Sequence, residues 1–391
     1  MTNLGVSLSP LVDEARNALE AWSGRQAAWF AAAPGRVNVI GEHTDYNAGW
    51  VLPVAIDRFT LMAAAAGTQP GRLRVLSLAL NEQGEILLGE ISTPHPSLWV
   101  RYVQGVVAHY EKRGIHCPAL DIVVASNLPA GGGLSSSAAL ELATAHLIEA
   151  ATGRALSERG RIDACVAAER EYAGVPCGEM DQTIVEMAQA DHALLLDCRE
   201  RSVSHVPFAL ESVALVALHS GISHELADGA YAQRREECQH AASVLAVDTL
   251  RDVTIDRLAR LESEPLLHRR ARHIVSENAR VHGAVAAMAR YDWKMLGNLM
   301  VESHRSLQQD YCVSCRELDL LVDMALSEPG VFGARMTGGG FGGCIIVLID
   351  KFRTESVVES MCRRYAELMG REPPCYRIQS AWGANEICAA L

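Results

Sequence analysis

Two stretches of this chain concentrate the residue types that hold anions and move protons. One is Leu128-Pro129-Ala130-Gly131-Gly132-Gly133-Leu134-Ser135-Ser136-Ser137-Ala138-Ala139, between a β-like run at 120–125 and a helical run at 140–151 that stops at Gly153. Strand, glycine loop and helix in that order bring unpaired backbone N–H groups and the positive end of a helix dipole to one place. Glycines let the backbone approach a ligand without Cβ clashes, so such a place suits phosphate. The same letters also describe a flexible turn with a serine N-cap. A Walker A loop would need a lysine, and the only three in the chain, Lys112, Lys294 and Lys351, stand beside no glycine-rich stretch. Phosphate handled here must therefore be met by backbone N–H groups, serines, a metal and arginine.

The other stretch is Gly35-Arg36-Val37-Asn38-Val39-Ile40-Gly41-Glu42-His43-Thr44-Asp45-Tyr46-Asn47, a β-like segment running into a turn crowded with polar groups. Loops so dense in ionisable residues are more often sites than connectors, although Asp45 and Asn47 could simply bond their own backbone. Further on, Val175-Pro176-Cys177-Gly178-Glu179-Met180-Asp181-Gln182 makes a turn and opens a helix, where Asp181 could serve only as a cap. Glu169 lies on the helical run before it, at 162–173. Late in the chain, Gly338-Gly339-Gly340-Phe341-Gly342-Gly343 leads into the apolar run 344–349. Its G-x-G-x-x-G spacing opens a strand and not a helix, so a dinucleotide fold is rejected. Five glycines in six residues still exceed what a hairpin needs and suggest backbone passing close to a ligand.

The elements that must position these residues follow from periodicity. A helix is expected at 11–22, paired strands at 51–56 and 61–66, a hairpin of 73–78 with 86–91, and a helix from Trp99 to Tyr110. Trp99 and Tyr102 are core residues by default. Strands at 193–196 and 213–218 and helices at 230–245, 269–290 and 292–309 complete the pattern, with a change of domain in the stretch 199–210. A length of 391 residues favours two domains, set at 1–205 and 206–391. The net charge of -12 opposes nucleic-acid binding, and no apolar run approaches the ~18 residues that span a bilayer. With no signal-peptide pattern and eleven scattered cysteines, the expectation is reduced thiols in a cytoplasm, Cys312 and Cys315 included as buried thiols and not as a zinc pair.

The three glycine or polar motifs, in this order, resemble those of the GHMP kinase superfamily. Gly35 to Asn47 is similar, almost residue for residue, to the signature of the galactokinase family within it, and Gly178 to Gln182 and Tyr231-Ala-Gln-Arg234-Arg235 also match. The resemblance implies a two-domain α+β GHMP kinase fold, with a mixed-sheet N-terminal domain, an α/β C-terminal domain and the active site in the cleft between them. It implies ATP-dependent phosphorylation of the C1 hydroxyl of D-galactose, assisted by Mg2+, as the first committed step of galactose catabolism. Carried over by position, Asp181 and Arg36 would flank the reacting hydroxyl, and Glu42, His43, Asp45, Gly178 and Tyr231 would contact the sugar. Gly131, Gly132, Gly133, Leu134, Ser135, Ser136 and Ser137 would wrap the phosphates of ATP, Trp99 and Tyr102 would lie near the adenine, and Ser137 and Glu169 would hold Mg2+. The partners expected are galactose and ATP, without nucleic acid or membrane, for a monomer. Three positions depart from the family pattern: Glu179, Ala48-Gly49 and His219-Ser220. Glu179 matters most, because a carboxylate turned toward Asp181 would raise its pKa, and it is expected to point away. The alternatives are a kinase of the same superfamily for another alcohol such as N-acetylgalactosamine, disfavoured by the intact first motif, and a non-catalytic sugar sensor. A sensor would be expected to have lost part of the phosphate loop or the base, and Ser135 to Ala138, Glu169 and Asp181 are all present.

Overall fold

The computed structural model describes residues 8–129, 132–222 and 227–387. Helix α1 (Ser9–Ser23) turns Leu11, Val12, Ala15 and Leu19 inward at helical spacing and ends where Gly24 takes the left-handed conformation. Strands β1 (Trp29–Asn38), β2 (Trp50–Val51) and β3 (Pro53–Ala66) follow. The two strands expected at 51–56 and 61–66 are not a pair: from Pro53 onward both runs lie in β3, one strand of fourteen residues alongside β1. The register jumps from Phe59 opposite Pro34 to Ile56 opposite Gly35, so Asp57 and Arg58 form a bulge where their polarity had suggested a turn. The hairpin is present as β4 (Arg72–Ser77) and β5 (Glu82–Leu87), with its second strand four residues earlier than expected. An edge strand needs only its inner face apolar, and here Gly84 and Ile86 alone are buried.

Then come α2 (Leu98–Lys112), β6 (Leu120–Ser126), α3 (Ser136–Thr152) and α4 (Glu158–Ala168), the last continuing into a π turn, Glu169–Ala173. Helix α5 (Met180–Met187), strands β7 (His192–Asp197), β8 (Ser202–Pro207) and β9 (Val213–His219), and helices α6 (Ala227–Val244), α7 (Pro265–Met288) and α8 (Trp293–Ser306) follow. The chain closes with α9 (Arg316–Leu326), β10 (Val331–Thr337), β11 (Cys344–Asp350), α10 (Thr354–Met369), β12 (Cys375–Ile378) and β13 (Asn385–Glu386). Three sheets result, ordered β13-β1-β3-β6-β4-β5, β10-β11-β9-β12 and β2-β7-β8. The first is mixed, because β4 and β6 run parallel. Among the described residues no helix is long and apolar enough to cross a membrane.

The change of sheet does not fall between 205 and 206. Strand β8 runs across that point and is held to β7 by pairing from His192–Pro207 to Asp197–Ser202. The chain's end also returns to the first half: Ser380 bridges Ile56, and β13 pairs with Ala31 and Ala32 on the open edge of β1. Strand β11 shows why the second sheet reads as an unbroken apolar run. Cys344, Ile346 and Leu348 face the core built on the first sheet, while Ile345, Val347 and Ile349 face a second core under α9 and α10. Ile346→Ala should therefore cost about 2–5 kcal/mol and lower the thermal midpoint clearly. A variant that melts with the parent would show that Ile346 is not part of a close-packed core.

Candidate active site

Just past the bulge of β3 opposite it, β1 points Arg36 into a cleft. The guanidinium donates from Nε and Nη2 to Oδ1 and Oδ2 of Asp181, at 2.8 and 2.7 Å, and from Nη1 to the carbonyl of Gly133 at 2.5 Å. Ser135 Oγ donates to Oδ2 of the same aspartate at 2.5 Å. Asp181 lies inside the first turn of α5, and its carboxylate is taken up by these side chains, so it is not the helix cap. One arginine thus ties together β1, the glycine loop and α5. Ser135 holds the left-handed conformation at φ 60° as the chain enters α3, an uncommon posture for a residue with a Cβ and one that clusters at functional sites.

A cavity of about 270 Å³ opens here, at the small end of ligand pockets. Arg36, Glu42, His43, Asp45, Gly133, Ser135, Ser136, Ser137, Glu169, Gly178, Asp181 and Tyr231 all line it, joined by Cys177, Gly338 and Gly339. Of the other expected residues, Gly131 lies outside the described residues. Leu134 is buried behind the cavity, where its carbonyl accepts from the Arg36 backbone N–H. Neither Gly132 nor the two aromatic residues of α2 line the cavity, and Trp99 donates from Nε1 to Glu82 instead. Glu179 does turn away from Asp181, toward the guanidinium groups of Arg159 and Arg201. Cys312 is exposed and Cys315 half-buried, where buried thiols were expected: the π turn before Cys312 ends by turning that residue left-handed and outward.

At one end, Asp45 opens a 3-10 turn, and Gly178 packs so closely that a Cβ there would overlap Oδ2 of Asp45. Withdrawal from water, with Asp181 nearby, raises the Asp45 carboxyl to about 6, against the hydrogen bond it receives from the Tyr46 backbone. Burial pushes His43 down to about 3, so its ring is neutral. Its Nε2 faces the Gly339 carbonyl at 3.2 Å, which can only accept, so Nε2 carries the proton and Nδ1 accepts from Tyr46 Oη at 2.7 Å. The proton on Tyr46 thereby points at His43, and Tyr311 donates to Tyr46 at 2.9 Å. Both nitrogens of His43 are spent within the protein, and its ring packs against Tyr231 with centroids 5.5 Å apart.

At the other end, buried Glu169 accepts from Gln182 Nε2 at 2.5 Å and from Cys177 and Ser137. Gln182 also donates to Glu141, whose other oxygen is buried without a partner. A carboxylate and a hydroxyl together on the wall, facing a second carboxylate in Asp181, make an all-oxygen set that fits Mg2+, which commonly takes one or two protein ligands and fills the rest with water and phosphate. Glu141, Gln182, Asn38 and Arg335 were not anticipated. A charge inside an otherwise apolar run is the signal that marks Glu141 on α3 and Arg335 on β10, and Gln182 lay within a matched motif.

A family model for the galactokinase galactose-binding signature matches residues 20–66, and models for the GHMP kinase N-terminal and C-terminal domains match 101–189 and 284–367. Human galactokinase is 40% identical over 393 residues, covering 97% of this chain and 98% of that protein. The chain belongs to the galactokinase family. The galactokinase of Chloroflexus aggregans is 41% identical, covering 90% of this chain and 92% of that one. Among solved structures, Lactococcus lactis galactokinase, complexed with galactose, superposes with a TM-score of 0.91 at 28% identity, over 97% of this chain and 100% of that one. L. major mevalonate kinase, at a TM-score of 0.65 and 18% identity over 90% and 95%, shares the fold.

The raised Asp45 carboxyl has a consequence for stability. Between 3.8 and about 6 the folded chain holds a proton there that the unfolded chain has lost, so stability falls as pH rises through that window and the full cost is present above it. Asp45→Asn, lacking that cost, should gain thermal stability over the parent progressively across the window and then hold a constant margin. A margin independent of pH would show that Asp45 ionises as an ordinary carboxyl.

Proposed function

We propose that this chain transfers the γ-phosphoryl group of ATP to the C1 hydroxyl of D-galactose, giving galactose 1-phosphate and ADP. The observation that carries this reading is the Arg36–Asp181 pair, set in one cavity between the serines that head α3 and the turn of Asp45. Oδ2 of Asp181 already accepts from Arg36 and Ser135, while among the described residues Oδ1 accepts only from Arg36. An ionised carboxylate oxygen takes about two hydrogen bonds, so Oδ1 keeps a place for the sugar hydroxyl. In the transfer, the C1 oxygen forms its bond to the γ-phosphorus, the bond from that phosphorus to the bridging oxygen breaks toward ADP, and the hydroxyl proton passes to Asp181. The guanidinium of Arg36 offsets the negative charge on the transferring group.

The phosphates would lie at the head of α3, where free N–H groups and the hydroxyls of Ser136 and Ser137 converge without any lysine. Mg2+, held by Ser137 and Glu169, would neutralise phosphate charge when bound. Asp45, Glu42 and Tyr231 would hydrogen-bond the sugar, and Gly178 leaves Asp45 room to do so. His43, with its nitrogens occupied, would shape the floor by packing. That all ten described cysteines are free supports a reducing, cytoplasmic setting.

ADP release with ATP and Mg2+ over galactose, glucose, talose, N-acetylgalactosamine, mevalonate and homoserine tests the assignment. Galactose should be strongly preferred, and equal turnover of another alcohol would refute it. Asp181→Asn should lose about a hundred-fold to ten-thousand-fold in kcat with galactose affinity largely retained. A folded variant that turns over at close to the parent rate would leave Asp181 no role as base.

A further inference from the structure

A second buried ion pair reaches the same cavity and takes no part in the proton transfer. Arg335, on β10, is fully buried, and its Nη1 donates to Oε2 of Glu42 at 2.7 Å and to the carbonyls of Asn38 and Val39 at 3.2 and 3.1 Å. Asn38 Nδ2 donates to the same Oε2 at 2.6 Å. The Gly338 N–H, at the start of the late glycine run, donates to Oε1 at 2.8 Å. Among the described residues Oε2 is thus filled by two donors and Oε1 by one, leaving a single acceptor position on a carboxylate that lines the cavity.

The pair is a poor device for stability. Among the described residues Nε and Nη2 of Arg335 have no hydrogen-bond partner, and the second carboxylate nearby, Glu277, stands 3.9 Å from Nη2 and is already engaged by Gly41, Arg280 and Ser303. A buried ion pair so incompletely satisfied is commonly matched or bettered by apolar residues of the same volume. What this one achieves is orientation: Asn38, four residues before Glu42, and Arg335 and Gly338, from one distant segment, together fix both oxygens of Glu42.

We propose that Arg335, together with Asn38, is a positioning residue for galactose, holding Glu42 so that Oε1 accepts one sugar hydroxyl. The inference deepens the function proposed above and rests on its reading of Glu42 as a sugar contact. Because Glu42 is also held by Gly338, the setting links the first motif to the late glycine run, and the sugar end of the cavity forms only when both are in place. The phosphate end, at the head of α3, does not depend on it.

The test is the KM for galactose and for ATP in Glu42→Gln, Arg335→Lys and the double variant, each confirmed folded by circular dichroism and thermal melting. Glu42→Gln and Arg335→Lys should each raise the galactose KM about ten-fold or more, the scale of one hydrogen bond to a charged group, and leave the ATP KM unchanged. Since Arg335 acts through Glu42, the double variant should bind galactose no worse than Glu42→Gln alone. A folded Arg335→Lys with the parent galactose KM, or a double variant showing the product of the two losses, overturns the proposal. If Glu42→Gln itself leaves the galactose KM unchanged, the sugar contact is wrong and the proposal falls with it, a result distinct from failure at Arg335 alone. Should Arg335→Lys not fold, Asn38→Ala removes the other donor to Oε2 while keeping the ion pair. It must then raise the galactose KM without adding to Glu42→Gln, and an unchanged KM contradicts the account.

Discussion

The guanidinium of Arg36 satisfies two partners that arrive from separate parts of the chain, and the site depends on that. With both edge nitrogens on Asp181 and Nη1 on the Gly133 carbonyl, it fixes the candidate base against the glycine loop. A planar fork suits this task better than an ammonium would, because it sets direction as well as charge. In a chain with three lysines and a net charge of -12, positive charge at the cavity must come from arginines built into strands. Arg36 on β1 and Arg335 on β10 are both of this kind, and both are buried.

Four carboxylates line one small cavity: Glu42, Asp45, Glu169 and Asp181. Each is managed differently. Asp181 carries the fork of Arg36, and Glu42 has Arg335 with two further donors. Glu169 is held by a hydroxyl, a thiol and an amide, and burial and Asp181 together raise its pKa, which is the condition a divalent ion would relieve. Asp45 is helped by local backbone donors and the more remote charge of Arg36, and burial still holds its carboxyl up at about 6.

The motifs could be found in the sequence because each needs a local feature that leaves a mark. A glycine-rich turn leaves its letters in the sequence, and of that run Gly133 reaches the cavity wall, while Asp45 needs an empty neighbour, hence Gly178. What could not be read depends on distant partners. Nothing near His43 discloses that Tyr46 and the Gly339 carbonyl occupy both its nitrogens, and nothing near Glu42 points to Arg335, 293 residues away. The same holds for the fold. The apolar runs either side of Asp57 and Arg58 suggested two strands, because a bulge in β3 exists only relative to β1. Strand β13, two residues long, has no periodicity at all and forms because the edge of β1 is open to it.

If Arg36 and Asp181 act as one unit, their contributions to rate cannot be independent. A double-mutant cycle on kcat, with Arg36→Ala, Asp181→Asn and both together at saturating galactose and ATP-Mg2+, measures this directly. The account predicts that the double variant loses clearly less than the product of the two single losses. Losses that multiply would mean that the arginine and the aspartate serve separate steps, and that the fork joining them is only structural.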